Sequence, residues 1–312
     1  MNNKIYIRIP KSVLAVVAAL MCGLFVLTFL DILPDLDDFY LEDIPAETVS
    51  AITGDKLAVD ILSVGQGDCT VISLGGYVFM IDAGERSSKD EILAYLERNE
   101  IDSITGLFIT HPHADHIGSM CAVLDSCDVG EIWFADIPDS LTPATSTYAN
   151  ILKKISDMGK TIEIAEPGDK IKFGGAVFTV LSSGEYDDLN NCSIVIRLDY
   201  GETSFLFMGD AVFDAENNLL ENGMLGHVNV LKSGHHGSAE STSTEFLNAV
   251  SPDYVVCSCG VGNDYDFPRR EYLERVEKCG ARLLRTDICG NVSFVSDGVD
   301  VYYCPNDLDA AA

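Results

Sequence analysis

FITHPHADHIG, residues 108–118, places three of the chain's six histidines and an aspartate within six positions, at the end of an apolar run. GLFIT (106–110) predicts a buried strand. Pro112 breaks it, and ADHIGSM (114–120) has the composition of a first helical turn, so the motif occupies a strand-to-helix loop. Alternate side chains of an extended segment project to one side, which brings His111 and His113 together. Asp115 and His116 then come from the turn. Imidazole nitrogens and carboxylate oxygens suit zinc, manganese or iron, and two such groups can hold two ions about 3.5–4 Å apart with a hydroxide between them.

Around this motif lies a regular pattern of short β-branched or aromatic runs separated by helical ones. KLAVDILSV, CTVISL, YVFMID, EIWFA, AVFTVL, SIVIRL, TSFLFM, VNVLKS, DYVVCS, RLLRT and NVSFV join GLFIT as predicted strands. Segments 88–99, 145–158, 210–223, 243–251 and 268–280 carry apolar residues at helical spacing. More strands than helices, in mixed order, predicts an α+β arrangement of two sheets face to face with helices outside. Residues 55–303 read as one domain, followed by a short tail, 304–312.

The first thirty residues differ in kind. Lys4, Arg8 and Lys11 precede the uncharged run Ser12–Leu30, and Asp31, Asp35, Asp37 and Asp38 follow it. That pattern predicts a single membrane helix with the N-terminus cytoplasmic and the rest extracytoplasmic. A cleaved signal segment is the alternative, although no small-x-small site follows Leu30; a buried core helix is a third. Residues 31–54, acidic and containing Pro34 and Pro45, read as a linker.

Composition limits the partners. With 47% hydrophobic residues in 312, a large core forms without disulfides. Lys and Arg total 20 against 49 Asp and Glu, a net charge of −29, so a nucleic-acid substrate requires a local basic exception. Lys232, Arg269 and Arg270 are the candidates, with an ordinary helix surface as the alternative for the two arginines. Nine cysteines follow the apolar segment, in no framework spacing, and read as small buried hydrophobes; Cys257 and Cys259 alternate along a strand and do not form a zinc clip.

HPHADH matches the H-x-H-x-D-H signature of the metallo-β-lactamase fold, and IDAG (81–84), FMGDA (207–211) and KSGHHGS (232–238) stand in the matching order. More narrowly, SVGQGDCTVI (63–72), NNCSIVIRL (190–198), FMGDA and LKSGHHGS resemble the extracellular hydrolase domain of ComEC-type DNA-uptake proteins, over residues 57–303. The resemblance implies an αββα sandwich and two divalent ions, Zn or Mn. It implies His111 and His113 on one ion, Asp115 and His116 on the other, and Asp210 bridging both. His236 completes the second site, and His235 contacts substrate or protonates a leaving oxygen; the reverse assignment of that pair stays open. Asp115 is counted a catalytic group as well as a ligand. Asp82 is expected to accept the hydrogen bonds that fix the metal loop, with Lys232 and Ser238 supporting the site or touching substrate.

Two departures matter. No histidine lies between His116 and His227, so the first ion has only His111, His113 and Asp210 from the protein. Asn191 falls in that interval, as an orienter of water or a phosphate oxygen, or as a cap at a strand entry. Phe267 stands where ComEC-type domains often carry histidine. His227 reads as an exposed or packed histidine. SVGQGD lacks the ending of a phosphate loop and opens onto a strand, so no nucleotide cofactor is expected and a tight turn near the metal face is.

The implied function is hydrolysis by a metal-bound hydroxide, with phosphodiesters, DNA included, as the first substrate class. A small or wall-associated ester such as a phosphocholine ester or lactone is the alternative, and a non-catalytic binding module is a third. The chain reads as a stand-alone relative of one domain, without a channel; its oligomeric state is left open.

Overall fold

Alternation of apolar and polar residues decides how the first strand lies. In LAVDI (β1, Leu57–Ile61) positions 57, 59 and 61 are buried while 58 and 60 are half-buried, so one face turns to the core. This computed structural model describes residues 56–184 and 186–305. The expected membrane segment, the linker and residues 306–312 of the tail lie outside them. Among the described residues no helix is long and apolar enough to cross a membrane.

β1 pairs antiparallel with β2 (Thr70–Leu74), and β2 with β3 (Tyr77–Ile81). The direction then changes: β4 (Ser103–Ile109), β5 (Asp128–Phe134) and the short β6 (Glu163–Ile164) each run parallel to the strand before them in the sheet. A second sheet follows, with β7 (Lys170–Phe173), β8 (Ala176–Ser182), β9 (Val195–Tyr200), β10 (Thr203–Phe207), β11 (Val230–Lys232), β12 (Tyr254–Cys257) and β13 (Arg282–Arg285). Its order is β13-β12-β11-β10-β9-β8-β7, parallel from β10 to β13 and antiparallel from β7 to β10. The chain then returns: β14 (Val292–Ser296) and β15 (Val301–Cys304) complete the first sheet as β15-β14-β1-β2-β3-β4-β5-β6.

The inner faces meet in an aromatic core, with Phe79, Phe108 and Trp133 of the first sheet against Phe173 and Phe178 of the second. Ring centroids there stand 4.4 to 5.2 Å apart, and burying each such side chain stabilises by about 1.5–3 kcal/mol. Helices cover both outer faces. Ile92 and Leu96 of α1 (Lys89–Arg98), Met120 and Val123 of α3 (Met120–Ser126) and Ile151 and Ile155 of α4 (Ser146–Asp157) pack on the first sheet, where α2 (Ala114–Ile117) also lies. Leu219 of α5 (Phe213–Glu221), Phe246 of α6 (Thr244–Val250) and Tyr272 of α7 (Arg270–Cys279) pack on the second. A last short helix, α8 (Thr286–Cys289), leads from β13 into β14. This is the expected αββα order. Among the described residues no two of the nine cysteines from Cys69 onward form a disulfide, and six of the nine are buried.

Five parallel strands run out at one rim. β3 leads to Asp82, β4 to His111, β10 to Asp210, β11 to His235 and His236, and β12 to Ser258. In such sheets ligands bind beyond the carboxyl ends of the strands, and here every histidine of the HPHADH and GHHG motifs comes from the segments that follow those ends, His116 from the short α2.

Candidate metal centre

β10 is buried along its whole length and carries the chain into the rim at Asp210, itself 1% exposed. The Asp210 amide donates to Ser193 Oγ at 3.0 Å, which fixes where the carboxylate stands. Its two oxygens face two groups of ligands. Oδ1 lies 3.2 Å from His116 Nε2 and 3.3 Å from His236 Nε2, and Oδ2 lies 3.6 Å from His111 Nε2. Asp115 Oδ2 approaches the same His236 Nε2 at 3.2 Å, while His113 Nδ1 stands 2.9 Å from His111 Nε2. One group is therefore Asp115, His116, Asp210 and His236, and the other His111, His113 and Asp210; within each, the candidate ligand atoms lie within 4.8 Å of one another.

Which ring nitrogen faces inward is set by the other one. Asp82, held at a left-handed φ of 58°, accepts from the Thr110 amide at 2.8 Å and the Thr110 hydroxyl at 2.6 Å, and its Oδ2 lies 2.7 Å from His116 Nδ1. With Nδ1–H donated to that carboxylate, the Nε2 lone pair points at Asp210. His236 Nδ1 likewise faces the Ser258 carbonyl at 3.1 Å. His116 Nε2, His236 Nε2 and Asp210 Oδ1 are all buried and none meets a hydrogen-bond partner. With both imidazoles neutral, each such orphan costs about 1–3 kcal/mol and three converging lone pairs repel, so the cluster favours a positive charge, proton or cation, at this point. A cation relieves both penalties, so these residues fit a divalent ion, and the mixed nitrogen and oxygen donors suit zinc or manganese.

Electrostatics follow the same geometry. Burial alone would lower the pKa of His116, yet Asp210 and Asp82 raise it well above the ordinary histidine value; His236 is raised against burial by Asp210 and Asp115. His111 is pushed down, by burial first and by His116 next. Burial works to raise the Asp115 carboxyl, but the His236 contact brings it to about 2.

Sequence reasoning left Asp68 without a role beyond its turn, and the structure gives it one. Asp68 and Lys232 form a buried ion pair at 2.8 Å, and the other Asp68 oxygen stands 3.4 Å from His236 Nδ1. Gly67 permits this approach: a Cβ there would meet the Asp115 carbonyl at 2.2 Å, where the Asp68 amide now donates at 3.2 Å. The readable signal was a carboxylate sitting immediately before the apolar strand CTVISL.

Other expectations are narrowed to one of their alternatives or, for Asn191, corrected. Lys232, 2% exposed and bound to Asp68 and the Ser233 carbonyl, cannot offer its charge to a substrate and braces the site from behind. Asn191 turns away from the ligands: its Oδ1 accepts the Val212 and Ala215 amides at 3.1 Å each, capping α5, because a helix start needs acceptors that Val212 cannot supply. Its neighbour Ser193 does the work at the site, bonding Asp210 and standing 3.2 Å from His111 Nδ1. Ser238 spends its hydroxyl on the Glu240 amide, closing the turn after the histidine pair. Arg270 pairs with Glu274 on the surface of α7, and Arg269 pairs with Asp266 while its guanidinium lies 5.7 Å over the Phe267 ring.

His236 belongs to the cluster and His235 does not. The His235 ring packs edge-on against Phe267 at 5.5 Å, and its buried Nδ1 has no partner. Burial lowers its pKa, opposed by Asp210. His227 is exposed, with Nδ1 against the Ser251 carbonyl at 2.9 Å. From Asp115 a groove of about 710 Å³ opens outward, lined by Gln66, Glu85, Arg86, Thr147 and Tyr265 among others. A second cavity, of about 570 Å³ at the ends of α6 and α7, touches none of the ligand residues.

The sequence profile of the Metallo-beta-lactamase superfamily matches residues 62–261. "Recombination protein 2" of Haemophilus influenzae is 30% identical over 254 residues, 78% of this chain and 29% of that protein. "ComE operon protein 3" of Bacillus subtilis is 27% identical over 256 residues, 76% of this chain and 32% of that one. The chain thus spans about a third of the length of these relatives. Among solved structures, the metallo-beta-lactamase fold protein YhfI of Bacillus subtilis superposes with a TM-score of 0.52 at 11% identity, covering 78% of this chain and all of the other, which speaks to the fold alone.

Proposed function

The chain belongs to the metallo-β-lactamase superfamily, and from that premise we propose that it is a two-metal phosphodiesterase, nuclease-like in its chemistry, tethered by residues 12–30 with its hydrolase domain outside the cytoplasm. One observation carries the reading: the orphaned Nε2 atoms of His116 and His236 converge on the Asp210 carboxylate, which offers its second oxygen to His111. The relative named for recombination supports nucleic acid, or another phosphodiester, as the substrate class.

The residues divide the work. His111, His113 and Asp210 would hold one ion, and Asp115, His116, Asp210 and His236 the other. When bound, a pair of divalent ions lowers the pKa of water and neutralises the charge that builds on phosphorus oxygens. Asp82 and the Ser258 carbonyl hold the two imidazoles in the tautomer that presents Nε2, so the site is organised before substrate arrives. Asp115, partly exposed beside the groove, faces the side from which substrate enters. His235, outside the cluster and favoured in its neutral form by burial, contacts the substrate and donates a ring N–H hydrogen bond to the departing oxygen.

The test is turnover of bis(p-nitrophenyl) phosphate, p-nitrophenyl acetate and a lactone by the full chain supplied with Mn²⁺ or Zn²⁺. Phosphodiester hydrolysis that disappears in Asp210→Ala, and falls about a hundredfold in His235→Asn with metal content retained, is expected. Hydrolysis of the carbon esters alone contradicts the proposal.

A further inference from the structure

Beside the candidate metals, two features have no part in holding them: an exposed aromatic ring set in a stiff loop, and an unpaired cation across the same groove. Tyr265 is 57% exposed and lines the groove. Its ring stacks on Phe267 at 5.5 Å with 21° between planes, and Phe267 in turn meets the His235 ring at 5.5 Å. Two aromatic steps therefore lead from the histidine nearest the cluster to the groove wall.

The loop that carries Tyr265 is fixed in advance. Asn263 Nδ2 donates to the Gly260 and Phe267 carbonyls at 2.9 and 2.7 Å, and its Oδ1 accepts the Tyr265 and Phe267 amides at 3.1 and 3.0 Å. Every hydrogen-bonding position of that amide is spent inside the loop. The Gly260 amide then donates to Gln66 Oε1 at 3.2 Å, tying the loop to the turn that precedes Asp68. That bond settles which end of the Gln66 amide is oxygen, so Nε2 is a donor, and it is buried at the groove without a partner. An unspent buried donor is costly and calls for an acceptor.

Arg86 supplies the charge. It is exposed, meets no carboxylate within ion-pair distance among the described residues, and is the one cation in a groove lining that also carries Glu85, Asp115 and Asp264, so an anionic group can be held only at the Arg86 and Gln66 side. A planar guanidinium suits an oxyanion. The groove, about 710 Å³, is of a size that takes a ligand of a few hundred daltons.

We infer that this groove is a substrate subsite in which Tyr265 stacks a planar ring while Arg86 and Gln66 Nε2 hold an anionic group joined to it, which is the chemistry of one nucleotide unit beyond the bond that is cut. The assignment rests on the reaction proposed above for its context and on the groove for its substance. It gives Phe267 a positive role: an aromatic ring in place of a polar group extends the stacking surface from His235 to the rim.

The experiment is calorimetric titration of the full, Mn²⁺-loaded chain with thymidine 3′,5′-bisphosphate, and separately with inorganic pyrophosphate, which has the anions without the ring. Tyr265→Ala weakens the bisphosphate about tenfold and leaves pyrophosphate unchanged, while Tyr265→Phe binds both like the wild type. Arg86→Ala weakens both ligands about tenfold. Metal content equal to wild type in each variant shows that the rim is folded. Equal bisphosphate affinity in wild type and Tyr265→Ala, or in wild type and Arg86→Ala, overturns the assignment. Because affinity is read without turnover, a chain that hydrolyses no phosphodiester yet shows these losses refutes the proposed reaction and keeps the subsite.

Discussion

At the scale of single residues the candidate centre depends on groups that touch no ion. Lys232 and Asp68 are buried together, and removing one leaves the other charged and unpaired. Lys232→Met is expected to cost about 3–5 kcal/mol at neutral pH by urea denaturation. Burial would raise the Asp68 carboxyl, but Lys232 holds it well below its ordinary 3.8. A depressed carboxyl contributes stability above its unfolded pKa and loses it as pH falls through the lower folded value, so the gap between wild type and variant narrows below about pH 4. A gap that does not narrow contradicts the pairing. Asp82→Asn keeps the size of the side chain but allows His116 to carry its proton on Nε2; metal affinity is expected to drop about 10- to 100-fold, read by competition with a chromogenic chelator. HPHADH and GHHG were legible as candidate ligand segments because ligand chemistry restricts residue types, whereas the choice of His236 over His235 rested on the resemblance and stayed open. Asp68 was not, since one carboxylate in a glycine turn reads the same whether it braces a histidine or faces water.

At the scale of elements, legibility followed burial. The twelve strands predicted from apolar runs are all present, whereas β6, β7 and β15 were missed. All three lie at sheet edges, where KIKF and VYYC pack on one side only and show no sustained apolar pattern. The five helical segments survive with their ends trimmed by a few residues, because a cap is chosen by local hydrogen bonds and not by periodicity. Asn191 shows the limit: a sequence near the site suggested a ligand to water, and the polar group instead serves the first turn of α5 from 21 residues away. Asn191→Ala is therefore expected to lower stability by about 1 kcal/mol with metal content unchanged. Ser193→Ala, which frees the Asp210 amide, is expected to lower metal content instead. The opposite pattern would return Asn191 to the site.

For the whole molecule, charge and chelation make the predictions. A net charge of −29 was expected to require a basic exception, and the structure narrows it: Lys232 is buried, Arg270 is paired with Glu274 and Arg269 with Asp266, and Arg86 remains at the groove. With about one phosphate contact, binding of a single-stranded oligonucleotide is expected to show a log–log salt slope no steeper than about −1. A slope near −4 or steeper would contradict it. If two ions complete this rim, each also stabilises the fold, by about 4 kcal/mol at a thousandfold excess over its Kd, so a chelator lowers Tm by several degrees and added Mn²⁺ or Zn²⁺ restores it. The central claim, that Asp210 joins two groups of histidines into one dinuclear centre, is tested most directly by elemental analysis of the purified chain and its variants. Two ions per wild-type chain, one in His236→Ala, none in Asp210→Ala and two in His235→Ala are predicted; a metal-free wild type, or a His235→Ala variant that loses as much as His236→Ala, would contradict it.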